Sequence, residues 1–362
     1  MTSTLPSSIR TEAFIDGSFA PAAGAETFTT HDPATGKALA EIAACGEQDV
    51  DAAVAAARRA FEAGTWSRLH PSERGRILLR LVGLLEEHAE ELAQIESLDA
   101  GKPITDCREF DLPDTIATLR WYAEAADKLF GTTTPAGDGA VGMVVHEPIG
   151  VVGAVLPWNF PLSMLAWKLG PALAAGNSVV VKPPELTTLS TLRFAELAAQ
   201  AGVPAGALNV VPGLGHVAGK ALGLHMDVDV ISFTGSNEIG REFLRYSADS
   251  NLKNVVLEMG GKSPQIVTAD NADRLQAVAE DLAEAAFGNM GQNCSAGSRI
   301  LVDAGIADEF IGHLAQAAEA GVVGDPQDPG TTVGPLIEEA AVERVARYVD
   351  DAVAAGATAR TG

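Results

Sequence analysis

The chain has 362 residues, 47% of them apolar and 20% charged, enough to fill the cores of two domains and too apolar for a disordered polypeptide. Its net charge of −23 excludes nucleic acid and anionic membranes as main partners, because phosphate binding needs clustered Lys and Arg; a small-molecule ligand is expected. The three cysteines, Cys45, Cys107 and Cys294, stand far apart without a CxxC pair, which argues against a disulfide framework or a metal site and for a reducing cytoplasm.

The opening MTSTLPSSIR lacks the charged-then-apolar pattern of a secretory leader, and the longest apolar runs are interrupted by proline, glycine or Lys168, so no membrane span is expected. Residues 1 to about 46 read as an edge layer of short strands such as EAFIDGSF. Helical periodicity begins at Glu47 and resumes after Pro71 in RGRILLRLVGLLEEHAEELAQIE; a third helix is expected from Asp114 to Phe130. Residues 131–148 break that pattern, with turn residues around VGMVV, and read as an excursion from the body.

From Ile149 strands alternate with helices: IGVVGAVL, PLSMLAWKLGPALAAG, NSVVVK, TTLSTLRFAELAAQAG, ALNVVP, a helix ending near Leu224, DVISFTG and SNEIGREFLRYSA. Such alternation gives an α/β fold with a doubly wound parallel sheet, whose ligands sit beyond the carboxyl ends of the strands. After KNVVLEMGGKSPQIV the rhythm continues with a helix from Asp273 to about Asn289, strand RILVD, and helices at 305–320 and 338–355.

Several residues in this frame carry chemistry. GQNCSAGSR sets Cys294 among small neighbours, as a reactive thiolate requires, although a lone cysteine more often packs as a small hydrophobe. DVISFTG ends in Gly235 and Ser236, with Gly240 following. These glycines and a helix start suit a phosphate, while Ser236 equally suits a plain cap. GLGHVAG, with Gly213, Gly215 and Gly219, has its last gap one residue too long for a dinucleotide fingerprint. Lys182 and Glu185 lie just past a strand and suit a ribose, or a solvated loop pair. Glu258 before Gly260 and Gly261 is a candidate general base or a cap partner. In LPWNFP, prolines stiffen the loop bearing Asn159, an amide that can serve an oxyanion or simply make a turn.

Taken in order, PWNFP, KPPE, FTGS, LEMGGKSP and GQNCSAGSR resemble the successive signatures of the NAD(P)-dependent aldehyde dehydrogenase superfamily, from residue 12 to the end. RWYAEAADK, WKLGPALAAGNSVVVKP and DSNLKNVVLEMGGKS look most like members acting on amino-aldehydes, notably the gamma-glutamyl-gamma-aminobutyraldehyde type. The resemblance implies a Rossmann-like NAD-binding domain at 1–130 and 149–257, a small β-hairpin oligomerisation arm at 131–148 and an α/β catalytic domain from 258, in a cytoplasmic homo-oligomer. It implies that Cys294 attacks the aldehyde and that Asn159, with the Cys294 N–H, holds the oxyanion. Glu258 activates water, and Lys168 helps relay protons. Trp158, Lys182, Glu185, Gly235, Ser236 and Gly240 hold the cofactor, with NAD favoured over NADP by Glu185, and no metal is implied. Asp111 and Asp114, three apart and so able to share a face at a helix start, resemble acids that attract a substrate amine; Asp114 is equally explained as a cap.

Family members normally run well past residue 362, so the second half of the catalytic domain, with an EIFGP-type segment and a strand that pairs across subunits, is expected to be missing. Two alternatives accompany the oxidising enzyme: a CoA-acylating semialdehyde dehydrogenase, disfavoured by Glu258, and a catalytically silent nucleotide-binding protein.

Overall fold

The computed structural model describes residues 5 and 9–361. Strands β1 (Ala13–Ile15), β2 (Ser18–Ala20), β3 (Thr27–His31) and β4 (Ala38–Ala43) precede helices α1 (Glu47–Ala63), α2 (Pro71–Glu87) and α3 (Ala89–Ala100). Helix α4 (Ile104–Asp106) runs through a wide-wound stretch, Cys107–Asp111, into α5 (Leu112–Ala125). A hairpin of β5 (Thr132–Thr134) and β6 (Gly142–Val144) follows. Next come β7 (Val151–Val155), α6 (Pro161–Ala175), β8 (Ser178–Lys182), α7 (Leu189–Ala201), β9 (Leu208–Val210), α8 (Lys220–Leu224), β10 (Val230–Gly235), α9 (Asn237–Ala248) and β11 (Asn254–Met259). The chain continues with β12 (Pro264–Val267), α10 (Leu275–Phe287), β13 (Arg299–Val302), α11 (Ala307–Glu319) and α12 (Glu339–Ala354).

Seven strands form one sheet in the order β11-β10-β7-β8-β9-β1-β2. The five strands from β11 to β9 are parallel, β1 joins β9 antiparallel, and β2 lies antiparallel on β1 at the edge. Both faces are covered, and the strand period of two divides the side chains between them. Val152 and Ala154 of β7 and Val179 and Val181 of β8 pack with α2, α5, α6 and α7 residues such as Leu81, Leu119, Leu165 and Leu197. Val151, Val155 and Val180 face the other way, onto Val50, Val54, Leu222 and Phe243 of α1, α8 and α9. This is why β7 and β8 read as unbroken apolar runs rather than alternating ones.

A second, two-stranded sheet pairs β12 with β13 in parallel through α10, over a small core of Val267, Leu275, Ala279, Ile306 and Phe310. The chain leaves the large sheet after Met259, so the expected boundary at 257/258 falls inside β11, where Glu258 still pairs with Thr234. Residues 321–337 fold back on the first unit: the Ile104 N–H donates to the Pro326 carbonyl at 2.8 Å, and Gln327 Nε2 to Ser97 Oγ at 2.6 Å.

Two helix expectations are corrected. The run after Pro71 is two helices, broken at His88, whose φ of −102° and ψ of 16° leave the helical region while its Nδ1 lies 2.8 Å from Glu91 Oε2. The third helix ends at Ala125 and is entered from Ile104, so Asp111 and Asp114 do not sit at a free helix start.

Candidate active site

The chain order along the large sheet reverses between β7 and β10, since β7, β8 and β9 proceed one way and β10 and β11 the other. Open α/β sheets bind ligands at the carboxyl edge of such a reversal. Val155, Phe233 and Lys182 stand level across β7, β10 and β8, and Thr234 pairs with Glu258 one residue further on. Asn159 follows β7 and Ser236 follows β10. Four candidate residues, Lys182, Glu258, Asn159 and Ser236, are thereby delivered to neighbouring positions along one edge by strands about 5 Å apart.

Asn159 connects this edge to the cysteine loop. Its Nδ2 donates to the Gln292 carbonyl at 2.8 Å, two residues before Cys294. An amide carries two N–H groups, so one fixes the side chain and the other remains available to a developing oxyanion. Cys294 is exposed in a turn, whereas Cys45 and Cys107 are buried. Burial, reinforced by Asp49, pushes the Cys45 thiol up to about 12, and burial raises Cys107 well above the ordinary thiol range. Among the described residues, Cys294 is the one thiol open to solvent.

Lys168 lies on α6 beneath the edge, 8% exposed, with its Nζ donating to Ser232 Oγ of β10 at 3.1 Å. Burial lowers its ammonium to about 8, partly countered by the nearby charge of Glu258. Glu258 itself is exposed at the end of β11. A buried amine poised near neutrality beside an exposed carboxylate suits proton traffic.

On the other side of β7, Lys182 Nζ donates to Glu185 Oε2 at 2.7 Å, and the Gly215 N–H donates to Glu185 Oε1 at 3.3 Å. Burial lowers Lys182; it pushes Glu185 upward, but the Lys182 charge and hydrogen bond outweigh it and hold the carboxyl below its usual range. Ser236 caps α9, its Oγ accepting from the Ile239 N–H at 3.3 Å, and the helix start is exposed. The unpaired first-turn N–H groups of this helix and the Glu185 carboxylate fit a dinucleotide's pyrophosphate and ribose. Trp158 is half-buried, and its carbonyl accepts from Thr187 Oγ1 at 3.0 Å. Gly235 and Gly240 have packing reasons of their own. A Cβ at 235 would meet the Phe233 ring at 2.5 Å, and one at 240 would meet Met259 Sδ at 2.6 Å. Gly240 is buried against β11 rather than part of the exposed helix start.

Asp111 and Asp114 part company. Asp111 is buried and ion-paired with Lys102, so it is not free to receive a substrate amine. Asp114 is exposed, and its Oδ2 accepts from Trp167 Nε1 at 3.2 Å. It lines a groove of about 470 Å³ with Ala117, Thr118, Trp121, Tyr122 and Trp167.

Sequence reasoning missed a buried polar cluster behind Asn159. Lys102 Nζ lies 3.4 Å from the Asn159 carbonyl and 4.1 Å from the Phe160 ring centre. Burial, then the Asp111 charge, pushes the Glu96 carboxyl up. Burial likewise raises Asp111, while the acids around Lys102 outweigh burial and raise the ammonium. Burial thus disfavours the charged form of both carboxyls, and Asp111 is the one paired with the cation. A Lys and two acids spread over residues 96–111 gave no spacing that could announce this. Among the described residues no helix is long and apolar enough to cross a membrane, and no cluster of three or more His, Cys, Asp or Glu could hold a metal ion.

The profile of the "Aldehyde dehydrogenase family" matches residues 19–362. The chain is 56% identical over 340 residues to an aminoacetaldehyde dehydrogenase of Pseudomonas aeruginosa, covering 94% of this chain and 68% of that protein. It superposes with a TM-score of 0.93 and 51% identity on the gamma-glutamyl-gamma-aminobutyraldehyde dehydrogenase of Burkholderia cenocepacia J2315, covering 94% of this chain and 69% of that one. An indole-3-acetaldehyde dehydrogenase solved with NAD+ gives a TM-score of 0.94 at 47% identity, over 96% of this chain and 70% of that one. With nearly the whole sequence matched and the same architecture throughout, this chain belongs to the aldehyde dehydrogenase family.

Proposed function

We propose that the chain oxidises an amino-aldehyde to the carboxylic acid with NAD, through a covalent intermediate on Cys294. The observation that carries this reading is the bond from Asn159 Nδ2 to the Gln292 carbonyl, which ties the Asn159 amide to the loop bearing the exposed Cys294 at the sheet's carboxyl edge. In this reading residues 1–130 with 149–259 form the cofactor-binding unit, 131–148 the oligomerisation arm, and the remainder the catalytic unit.

The Cys294 thiolate attacks the carbonyl carbon, forming an S–C bond and moving an electron pair onto oxygen. The second N–H of Asn159 and the Cys294 backbone N–H stabilise that oxyanion. NAD, when bound, supplies the hydride acceptor. The Glu258 carboxylate takes a proton from water, whose oxygen attacks the resulting thioester carbon; the S–C bond breaks and the acid leaves. Lys168, buried, with its ammonium lowered to about 8 and sensing the Glu258 charge, passes protons to and from that carboxylate in this reading. The Lys182–Glu185 pair supports NAD over NADP, because a carboxylate accepts from ribose hydroxyls and repels a 2′-phosphate.

The groove of Asp114, Trp121, Tyr122 and Trp167 supports an amino-aldehyde, since a carboxylate among aromatic faces attracts an alkylammonium. The names of the aminoacetaldehyde and gamma-glutamyl-gamma-aminobutyraldehyde relatives point the same way. The test is NADH absorbance after mixing protein, NAD and 3-aminopropanal, for wild type and Cys294→Ala. Turnover by the wild type alone supports the reading, and equal rates for both proteins refute it.

A further inference from the structure

We propose that Asn289 is a positioning residue that clasps the Asn159 loop to the cysteine loop, orienting the oxyanion donor; this rests on the catalytic reading given above. Its Nδ2 donates at 3.1 Å to the Asn159 carbonyl and at 3.1 Å to the Gln292 carbonyl. Asn159 Nδ2 donates to that same Gln292 carbonyl, so two asparagine amides and two carbonyls form a closed circuit between the loops. Because two carbonyl oxygens face this end of Asn289, the donor end of its amide must be the one turned toward them.

The surroundings make the clasp specific. Asn289 is 8% exposed, and its buried Oδ1 has no partner among the described residues, a cost that a side chain serving only solubility or capping would not carry. Its backbone is left-handed, φ 53° and ψ 40°, and Met290 and Gly291 follow at φ 56° and φ 72°. Asn tolerates this region better than other residues bearing side chains. The left-handed run turns the chain at the end of α10 so that Gln292 meets Asn159. From the other side, Lys102 holds the same Asn159 carbonyl, and the Ile337 N–H donates to Gln292 Oε1 at 3.0 Å. Asn289 therefore joins two loops that are each already anchored.

Asn289→Gly keeps the backbone conformation while removing the amide, and Asn289→Asp keeps the size while turning a carboxyl group toward two carbonyls. The readout needs no turnover: the concentration of hexanal that half-protects Cys294 from iodoacetamide, measured without NAD, reports the stability of the thiol adduct. In wild-type protein hexanal protects, and Asn159→Ala raises the half-protecting concentration. Asn289→Gly raises it by roughly tenfold, the scale of one lost hydrogen bond, and Asn289→Asp by at least as much. In an Asn159→Ala background Asn289→Gly causes no further rise, because its effect passes through Asn159. A wild-type value for Asn289→Gly, or a full additional rise in the double variant, overturns the clasp. Absence of hexanal protection in the wild type overturns the catalytic reading itself, and the clasp with it.

Discussion

Replacing Lys168 by Met should stabilise the protein near neutral pH and not in alkali. Lys168 is 8% exposed, and among the described residues its ammonium has one hydrogen bond, to Ser232 Oγ. Burial lowers it from an ordinary 10.5 to about 8, a drop worth roughly 3 kcal/mol of stability. Since the folded value is the lower one, the unfolded chain holds the proton more tightly. The penalty is therefore present in full below pH 8 and is relieved as pH rises from about 8 to 10.5. Lys168→Met removes this penalty and gives up the Ser232 bond, worth about 1 kcal/mol, for a net gain of about 2 kcal/mol at pH 7. By pH 10 the advantage should shrink by about 2–3 kcal/mol and vanish or reverse. Urea unfolding followed by tryptophan fluorescence at both pH values, wild type against variant, cancels other titrating groups. A difference independent of pH, or a variant less stable than wild type at pH 7, would refute the argument.

Iodoacetamide on the folded protein should label Cys294, leaving Cys45 and Cys107 untouched until denaturant is added; peptide mass mapping that finds either of those two labelled under native conditions contradicts their burial. Asp114→Asn should raise the KM for 3-aminopropanal by roughly tenfold, in keeping with a lost cation contact, and leave that for hexanal unchanged; equal shifts for both substrates would remove Asp114 from amine recognition. Glu185→Gln should raise kcat/KM with NADP relative to NAD, because it deletes the charge that repels a 2′-phosphate. An unchanged ratio would free Glu185 of that role.

The parallel sheet was legible because each of its strands is short, apolar and bounded by a helix signal, so chain order alone placed Asn159, Lys182, Ser236 and Glu258 along one edge. The division of Asp111 from Asp114 was not. Their spacing of three predicts a shared face only in a regular helix beginning there, whereas the helix starts at Ile104 and winds wide through Cys107–Asp111, turning Asp111 inward to Lys102. Gly240 is ambiguous in the sequence for a related reason, since a glycine three residues into a helix looks alike whether a phosphate or Met259 approaches it. Asn289 and Lys102 carried no motif signal. Both reach the Asn159 carbonyl, more than 50 residues away in sequence, and no local pattern encodes a partner of that kind.

If Cys294 forms the covalent bond and Glu258 frees it, the most direct measurement is the mass of Glu258→Gln protein after mixing with NAD and hexanal. The expected result is a burst of NADH that stalls as a hexanoyl group accumulates on the Cys294 peptide, absent from the Cys294→Ala, Glu258→Gln double variant. Steady turnover by Glu258→Gln, or an acyl group found on any other residue, would contradict it.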